Sequence, residues 1–283
     1  MKFVSFTRAS GAGFGAVVEG GLVDLTGWQG FDSLKDLIRG EALDAAAAYV
    51  AGRSVEMLWG EFAFAPVIPD PGKILCIGLN YQTHKKETGR PDVDHPTIFT
   101  RFADSQIGHR QPLIKPAISE RFDYEGEMAV VIGQGGRNIP EDRALSHVAG
   151  YACYNDATVR DWQRHTFQFT PGKNFPGTGA FGPFLVTADE VGDYRALPIE
   201  TRLNGEVVQK ATLTDLIFPV ERLISYISTF TPLEPGDVIV TGTPGGVGDK
   251  REPPLYMGEG AVAEVEIGML GTLVNTVISD AKP

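Results

Sequence analysis

Cysteine is scarce. Cys76 and Cys153 are the only two in 283 residues, both in apolar surroundings, which excludes a disulfide-stapled scaffold and predicts buried, reduced thiols. Basic charge is short as well: 25 Lys and Arg face 36 Asp and Glu, for a formal net charge of −11. Without a basic face to displace counterions, nucleic acid is excluded as a partner. Such an acidic surface also repels a small anionic substrate, so that ligand would need a local cation, either a metal ion or a pocket Lys or Arg. No apolar run is long enough to cross a bilayer, and no apolar h-region follows MKFVSFTRASGAGFG. No membrane contact and a cytoplasmic location are therefore expected. Internal repeats and low-complexity segments are missing too.

What is present reads as a globular chain, with 42% hydrophobic and 22% charged residues. The 34 glycines and 19 prolines are spread along its length, the pattern of many turns between short strands. FVSFT, FGAVVE and LVDLT read as strands, and SLKDLIRGEALDAAAAYVA carries apolar residues at helical spacing. APVIPDPGKI, with three prolines, marks a boundary near residue 70. This gives a small N-terminal α/β domain over 1–70 and a larger domain over 71–283. The larger one holds many β-type runs, among them KILCIGL, EMAVVIG, FGPFLVT, DVIVTGT and AVAEVEI. Helical patterns are fewer: PEDRALSHVAGY, the stretch after Asp156, and FPVERLISYISTF. The fold class is α+β and β-rich, a sandwich or roll rather than a doubly wound sheet. Gly11–Gly15 hints at a nucleotide loop, but no helix follows and no βαβ unit is present, so a hairpin turn is expected there.

The sharpest chemical signal is DYEGEMAVVIG, beginning at Asp123. On a strand, Glu125 and Glu127 share a face that Ala129 and Val131 continue into apolar territory. Two adjacent carboxylates at the mouth of a core repel each other and lose hydration, and a hard divalent cation relieves both costs. A third carboxylate is then needed. Asp156, in YND after the apolar run VAGYAC, stands at the end of a strand. Taken alone, alternating glutamates on a solvated strand edge explain the pattern equally well.

Other segments add to it. In LNYQTHKKE, Asn80 reads as the cap of a short helix that puts His84 and Glu87 on one face, a pairing that suits a general base, or an ordinary surface ion pair. Lys173, in TPGKNFPGTG, is either a cation facing an anion or a solvated loop lysine. TGTPGGVG, including Thr243, presents backbone N–H groups and hydroxyls to an anion, or forms a tight structural turn.

In order along 73–280, the stretches ILCIGLNYQTHKKE, FDYEGEMAVVIG, VAGYACYNDATVRDWQ, FTPGKNFPGTGAFGPFLVTADEV, LIFPVERLISYIS and LEPGDVIVTGTPGGVG resemble the fumarylacetoacetate hydrolase family. The resemblance implies a mixed β-sandwich roll core, a smaller N-terminal domain and a homodimer. It implies Mg²⁺ or Mn²⁺ held by Glu125, Glu127 and Asp156, and a His84–Glu87 pair on a segment that orders as a lid. It places Lys173 and Gln163 among the catalytic groups, and Arg160, Thr243, Tyr81 and Arg101 on the substrate. Two departures stand out. Arg101 replaces a lysine common in relatives, and NFPGTGAF replaces the usual sequence after the active-site lysine.

The implied activity is metal-dependent hydrolysis of a C–C bond in a small acylpyruvate-like 2,4-dioxo acid. His84, supported by Glu87, activates water, and a pyruvate-type enolate departs. The alternatives are an oxaloacetate-type decarboxylase, a 2-oxo-alkenoate hydratase or isomerase on the same scaffold, and a non-catalytic ligand-binding module.

Overall fold

The structure is a computed structural model and describes residues 1–89 and 93–280; residues 90–92 and 281–283 of the larger expected domain lie outside the described residues. Among the described residues, two large sheets form the frame. One has 12 strands, with Gly126–Ile132 between Val148–Asp156 and Val238–Val240, and Ile74–Gly78 beyond them. The other has five strands and is built around Pro198–Leu203, Val262–Ile267 and Gly271–Ser279. This is the β-rich mixed roll that the sequence predicts.

All seven residues of Gly126–Ile132 are buried. Met128, Val130 and Ile132 pack with Ile199, Val265 and Leu273 of the second sheet. Ala129 and Val131 pack on the opposite side with Phe3, Leu34 and Leu37 from the N-terminal segment. The first strands continue the large sheet, since Lys2–Arg8 pairs with Gly179–Thr187 and with Gly11–Val18. Both cysteines are buried free thiols, and burial pushes the Cys153 thiol up to about 12. Val220–Phe230 is helical as expected, burying Val220, Leu223, Ile224 and Ile227.

Several local expectations are corrected. The helix expected over 33–51 is two helices, Leu34–Arg39 and Leu43–Val50, parted by Gly40 and by Glu41 at φ 54°. Gly11–Gly15 lies within the strand Gly11–Val18 rather than in a turn. A Cβ at Gly15 would stand 2.4 Å from the Val23 carbonyl oxygen, so the residue type serves close strand approach. PEDRALSHVAGY is a 3-10 segment only over Glu141–His147. From Val148 the chain is a central strand with partners on both sides, and that pairing overrides local helical periodicity. Glu206–Thr212, not read as a strand, pairs with Pro198–Leu203 across Asn204 and Gly205, both at positive φ (54° and 82°), as a tight hairpin turn requires.

This topology creates the site. The register sets Gly126 opposite Asn155, and Asp156 N donates to Glu125 O at 2.8 Å, so the Glu-x-Glu run and Asp156 meet at one sheet end. Val238–Val240 runs parallel to Ile74–Gly78, which brings the loop starting at Thr241 and the helix Gln82–Thr88 to that same end. Asn80 ties them together. It does not cap the helix: its Nδ2 donates to Thr241 O and Phe218 O, and its Oδ1 accepts from Phe218 N. Gly242, at φ 100°, would place a Cβ 2.7 Å from that of Asn80, so only glycine closes this junction.

Candidate active site

One oxygen from each of Glu125, Glu127 and Asp156 lies within 4.8 Å of the other two, and all three residues are buried. Burying such charge is costly without compensation. Glu125 is flanked by Lys173 Nζ at 2.5 Å and Arg160 Nη2 at 2.7 Å. Asp156 meets Lys173 Nζ at 2.5 Å and the Arg101 guanidinium. Asp123, directly before this run, accepts from Arg160 Nε at 2.8 Å. Four buried carboxylates thus face three buried cations, leaving one negative charge uncompensated.

That charge belongs to Glu127. Among the described residues it has no cationic partner, and its Oε2 accepts from Gly242 N at 2.5 Å. Burial, with Asp156 and Glu125 adding to it, pushes the Glu127 carboxyl well above the usual carboxylate range. Burial acts in the same direction on Glu125, but Arg160 and Lys173 overcome it and hold that carboxyl below its ordinary value. Burial also opposes the Lys173 ammonium, yet Asp156 and Glu125 raise it above its ordinary value. The donor set is all oxygen, convergent and anionic in excess. These residues fit a hard divalent cation, which would remove the penalty at Glu127 and leave the cluster with net positive charge toward an anionic ligand.

A cavity of about 410 Å³ opens over this cluster. His84, Glu125, Glu127, Arg160, Gln163, Lys173 and Thr243 all line it, so the topology brings most of the expected residues together. His84 Nδ1 lies 2.5 Å from Glu87 Oε1, which leaves Nε2 as the ring nitrogen available to a ligand. Glu87 Oε2 in turn accepts from Gly246 N, and Thr83 Oγ1 from Gly245 N. The His84 helix is therefore docked onto the glycine loop. Gln163 Oε1 accepts from Arg160 Nη1, leaving its amide N–H groups as donors. Phe99 and Phe169 form one wall, with fully exposed Phe167 at the rim and the Lys173 ammonium 5.0 Å from the Phe99 ring centre.

Arg101 and Tyr81 do not line the cavity. Arg101 lies beneath it, its Nε on Asp156 and its Nη2 on Ala157 O, so its fixed fork supports a carboxylate from behind. Tyr81 is buried in the core shared by the two sheets. Thr243 Oγ1 donates to Gly126 O at 2.9 Å and accepts from Gln209 Nε2 at 2.8 Å, so its hydroxyl proton is already committed.

Sequence reasoning assigned no role to Asp123 or Gln209. Asp123 Oδ1 and Oδ2 also accept from Gly248 N and Asp249 N, and Gln209 Oε1 accepts from Gly126 N. The Asn204-Gly205 turn was the signal that would have placed Gln209 on a strand beside the site.

Fold and site together define a class: a β-roll enzyme with a buried carboxylate triad under a cation-lined pocket. The chain belongs to the fumarylacetoacetate hydrolase family, whose "Fumarylacetoacetate (FAA) hydrolase C-terminal" profile matches residues 73–278. It is 40% identical over 245 residues to the human mitochondrial oxaloacetate tautomerase FAHD2B, covering 86% of this chain and 78% of that protein. Among solved structures it is similar to a fumarylacetoacetate hydrolase from Exiguobacterium antarcticum (33% identity, TM-score 0.84, 99% of this chain and 100% of that one). It is also similar to maleylpyruvate hydrolase from Sphingobium sp. SYK-6 in complex with manganese(II) and pyruvate (26% identity, TM-score 0.82, the same coverage). No helix among the described residues is long and apolar enough to cross a membrane.

Proposed function

We propose that this protein interconverts the keto and enol forms of a small 2-oxo acid of the oxaloacetate class, using Mg²⁺ or Mn²⁺ held by Glu125, Glu127 and Asp156. The observation that carries the reading is the His84–Glu87 pair at 2.5 Å, its imidazole facing the same cavity as Glu125 and Glu127 of the carboxylate triad. A divalent ion in that triad supplies Lewis-acid polarisation of a 2-oxo acid and charge stabilisation for its enolate form. His84 Nε2 removes the proton at C3, and Glu87 stabilises the imidazolium that results. The C3–H electron pair becomes the C2–C3 double bond as the carbonyl electrons move to the oxygen. Return of the proton to that oxygen gives the enol, and the reverse path restores the ketone. Phe99 and Phe169 shield one side from water, which keeps the carbanion equivalent from side reactions. Names of relatives support this substrate class, since several are oxaloacetate tautomerases.

A second reading, hydrolytic C–C cleavage of an acylpyruvate, draws support from Gln163, whose free amide is a candidate donor for an oxyanion. It is weakened by the other expected donors. The Thr243 hydroxyl is committed to Gly126 O, and the Lys173 ammonium is spent on two carboxylates. The assembly proposed with either reading is a homodimer.

The test follows enol absorbance after dilution of enol-rich oxaloacetate into buffered protein, alongside acetylpyruvate loss. Faster ketonisation, abolished by EDTA and by His84→Ala, is expected. Acetylpyruvate cleavage without accelerated ketonisation would replace the first reading with the second.

A further inference from the structure

Four cations line the cavity above the carboxylate triad, namely Arg160, Arg164, Lys173 and Lys250. Three are spent. Arg160 faces Asp123 and Glu125, Lys173 faces Glu125 and Asp156, and Arg164 is paired with Asp249. Lys250 is exposed and makes no ion pair or side-chain hydrogen bond with any described residue. In a chain of net charge −11, an uncompensated ammonium at the rim of a cavity built for anions is where a second negative group would be attracted.

The backbone that carries it is fixed rather than loose. Lys250 closes the short turn Gly248–Lys250. The backbone N–H groups of Gly248 and Asp249 donate to the two oxygens of Asp123 at 2.8 and 2.9 Å. Asp123 also accepts from Arg160, which reaches Glu125. One buried carboxylate therefore ties the lysine-bearing turn to the triad. A Cβ at Gly248 would stand 1.7 Å from the Leu255 carbonyl oxygen and 2.6 Å from Asp123 Oδ1, so glycine is what lets the turn come this close.

We infer that Lys250 is a specificity-determining residue: it receives the far carboxylate of a 2-oxo dicarboxylic acid whose 2-oxo carboxylate end is directed at the triad. This assignment rests on the 2-oxo acid reading above and deepens it from a substrate class to a preference for dianions. Because the ammonium keeps part of its hydration, the effect is modest, about three- to fivefold in selectivity.

The experiment compares oxaloacetate with its 4-methyl ester, which keeps the carbon skeleton and removes the distal charge. Both are assayed on manganese-loaded wild type, Lys250→Gln and Lys250→Arg. The expected result is that Lys250→Gln lowers the ratio of kcat/KM for acid over ester about three- to fivefold, through the KM for the acid. Lys250→Arg, which keeps the positive charge, restores most of the ratio. A ratio indifferent to Lys250→Gln, or a loss equal for both substrates, overturns the assignment while the 2-oxo acid reading stands. If wild type converts neither compound, the 2-oxo acid reading falls and the assignment falls with it.

Discussion

Two of the cavities among the described residues are nearly equal in size and share little else. The one over the triad, about 410 Å³, is walled by charge. The other, about 450 Å³, lies where the N-terminal segment meets the roll and is walled by Trp59, Phe62, Phe64, Phe184 and His109. In the first, buried carboxylates persist because guanidinium and ammonium groups offset most of their charge and one remains to attract a cation. In the second, aromatic rings pack on one another, Phe64 against Phe62 at 5.2 Å and against His109 at 4.8 Å. Its one titratable ring is held neutral: burial, aided by Arg110, lowers His109 to about 4. Equal volume therefore says nothing about chemical capacity. Unbalanced charge fixed on rigid strand ends does.

The sharpest contrast comes from truncating one side chain in each cavity. His84→Ala should lower turnover about 10²–10⁴-fold with folding intact, the usual contribution of a general base. Trp59→Ala should leave turnover within about twofold and cost about 1–2 kcal/mol of stability, less than a fully buried aromatic because its ring is partly exposed. Similar kinetic losses in both variants would erase the distinction. Next in size, Arg101→Met removes a partner from buried Asp156 and should destabilise the protein by about 3–5 kcal/mol in urea denaturation. A loss under about 1 kcal/mol would mean that Asp156 does not depend on it.

The two cavities should also answer acid in opposite directions. The folded carboxyl of Glu127 titrates above its unfolded value. Between those values the folded state binds more protons, so metal-free protein gains stability from this group as pH falls from the raised value toward the unfolded one. Glu127→Gln should remove that gain and stabilise the metal-free protein at pH 7 by about 1–3 kcal/mol, the desolvation cost of an unpaired buried group. Destabilisation at neutral pH would contradict the charge excess. His109 works the other way. Its folded value of about 4 lies below the ordinary value of 6.5, so the unfolded state binds more protons between them, and stability falls as pH drops through that window. His109→Gln should flatten this smaller loss, about 1–2 kcal/mol, in melts recorded from pH 7 to 4. An unchanged slope would show that the ring is not held neutral by the fold.

Legibility in the sequence followed the range of the interaction. The Glu-x-Glu run, the His84–Glu87 spacing and the strand-end position of Asp156 are local patterns, and the strand register converts them into a cluster. The roll was readable from alternating short runs, and Val220–Phe230 from its buried stripe. What failed depends on distant partners. Val148–Asp156 looks partly helical until strands appear on both sides of it. Arg101 reads as a substrate cation, but only the tertiary fold shows it behind Asp156. Asp123 carries no periodic signal at all; its importance lies in accepting from Arg160, Gly248 and Asp249, residues 37 to 126 positions away.

The most direct measurement is a calorimetric titration of metal-free protein with Mn²⁺, run in parallel on Glu127→Gln. One tightly bound ion per chain in wild type and none in the variant is the predicted outcome. Equal binding by both proteins, or no binding by wild type, would contradict a metal centre built on these three carboxylates.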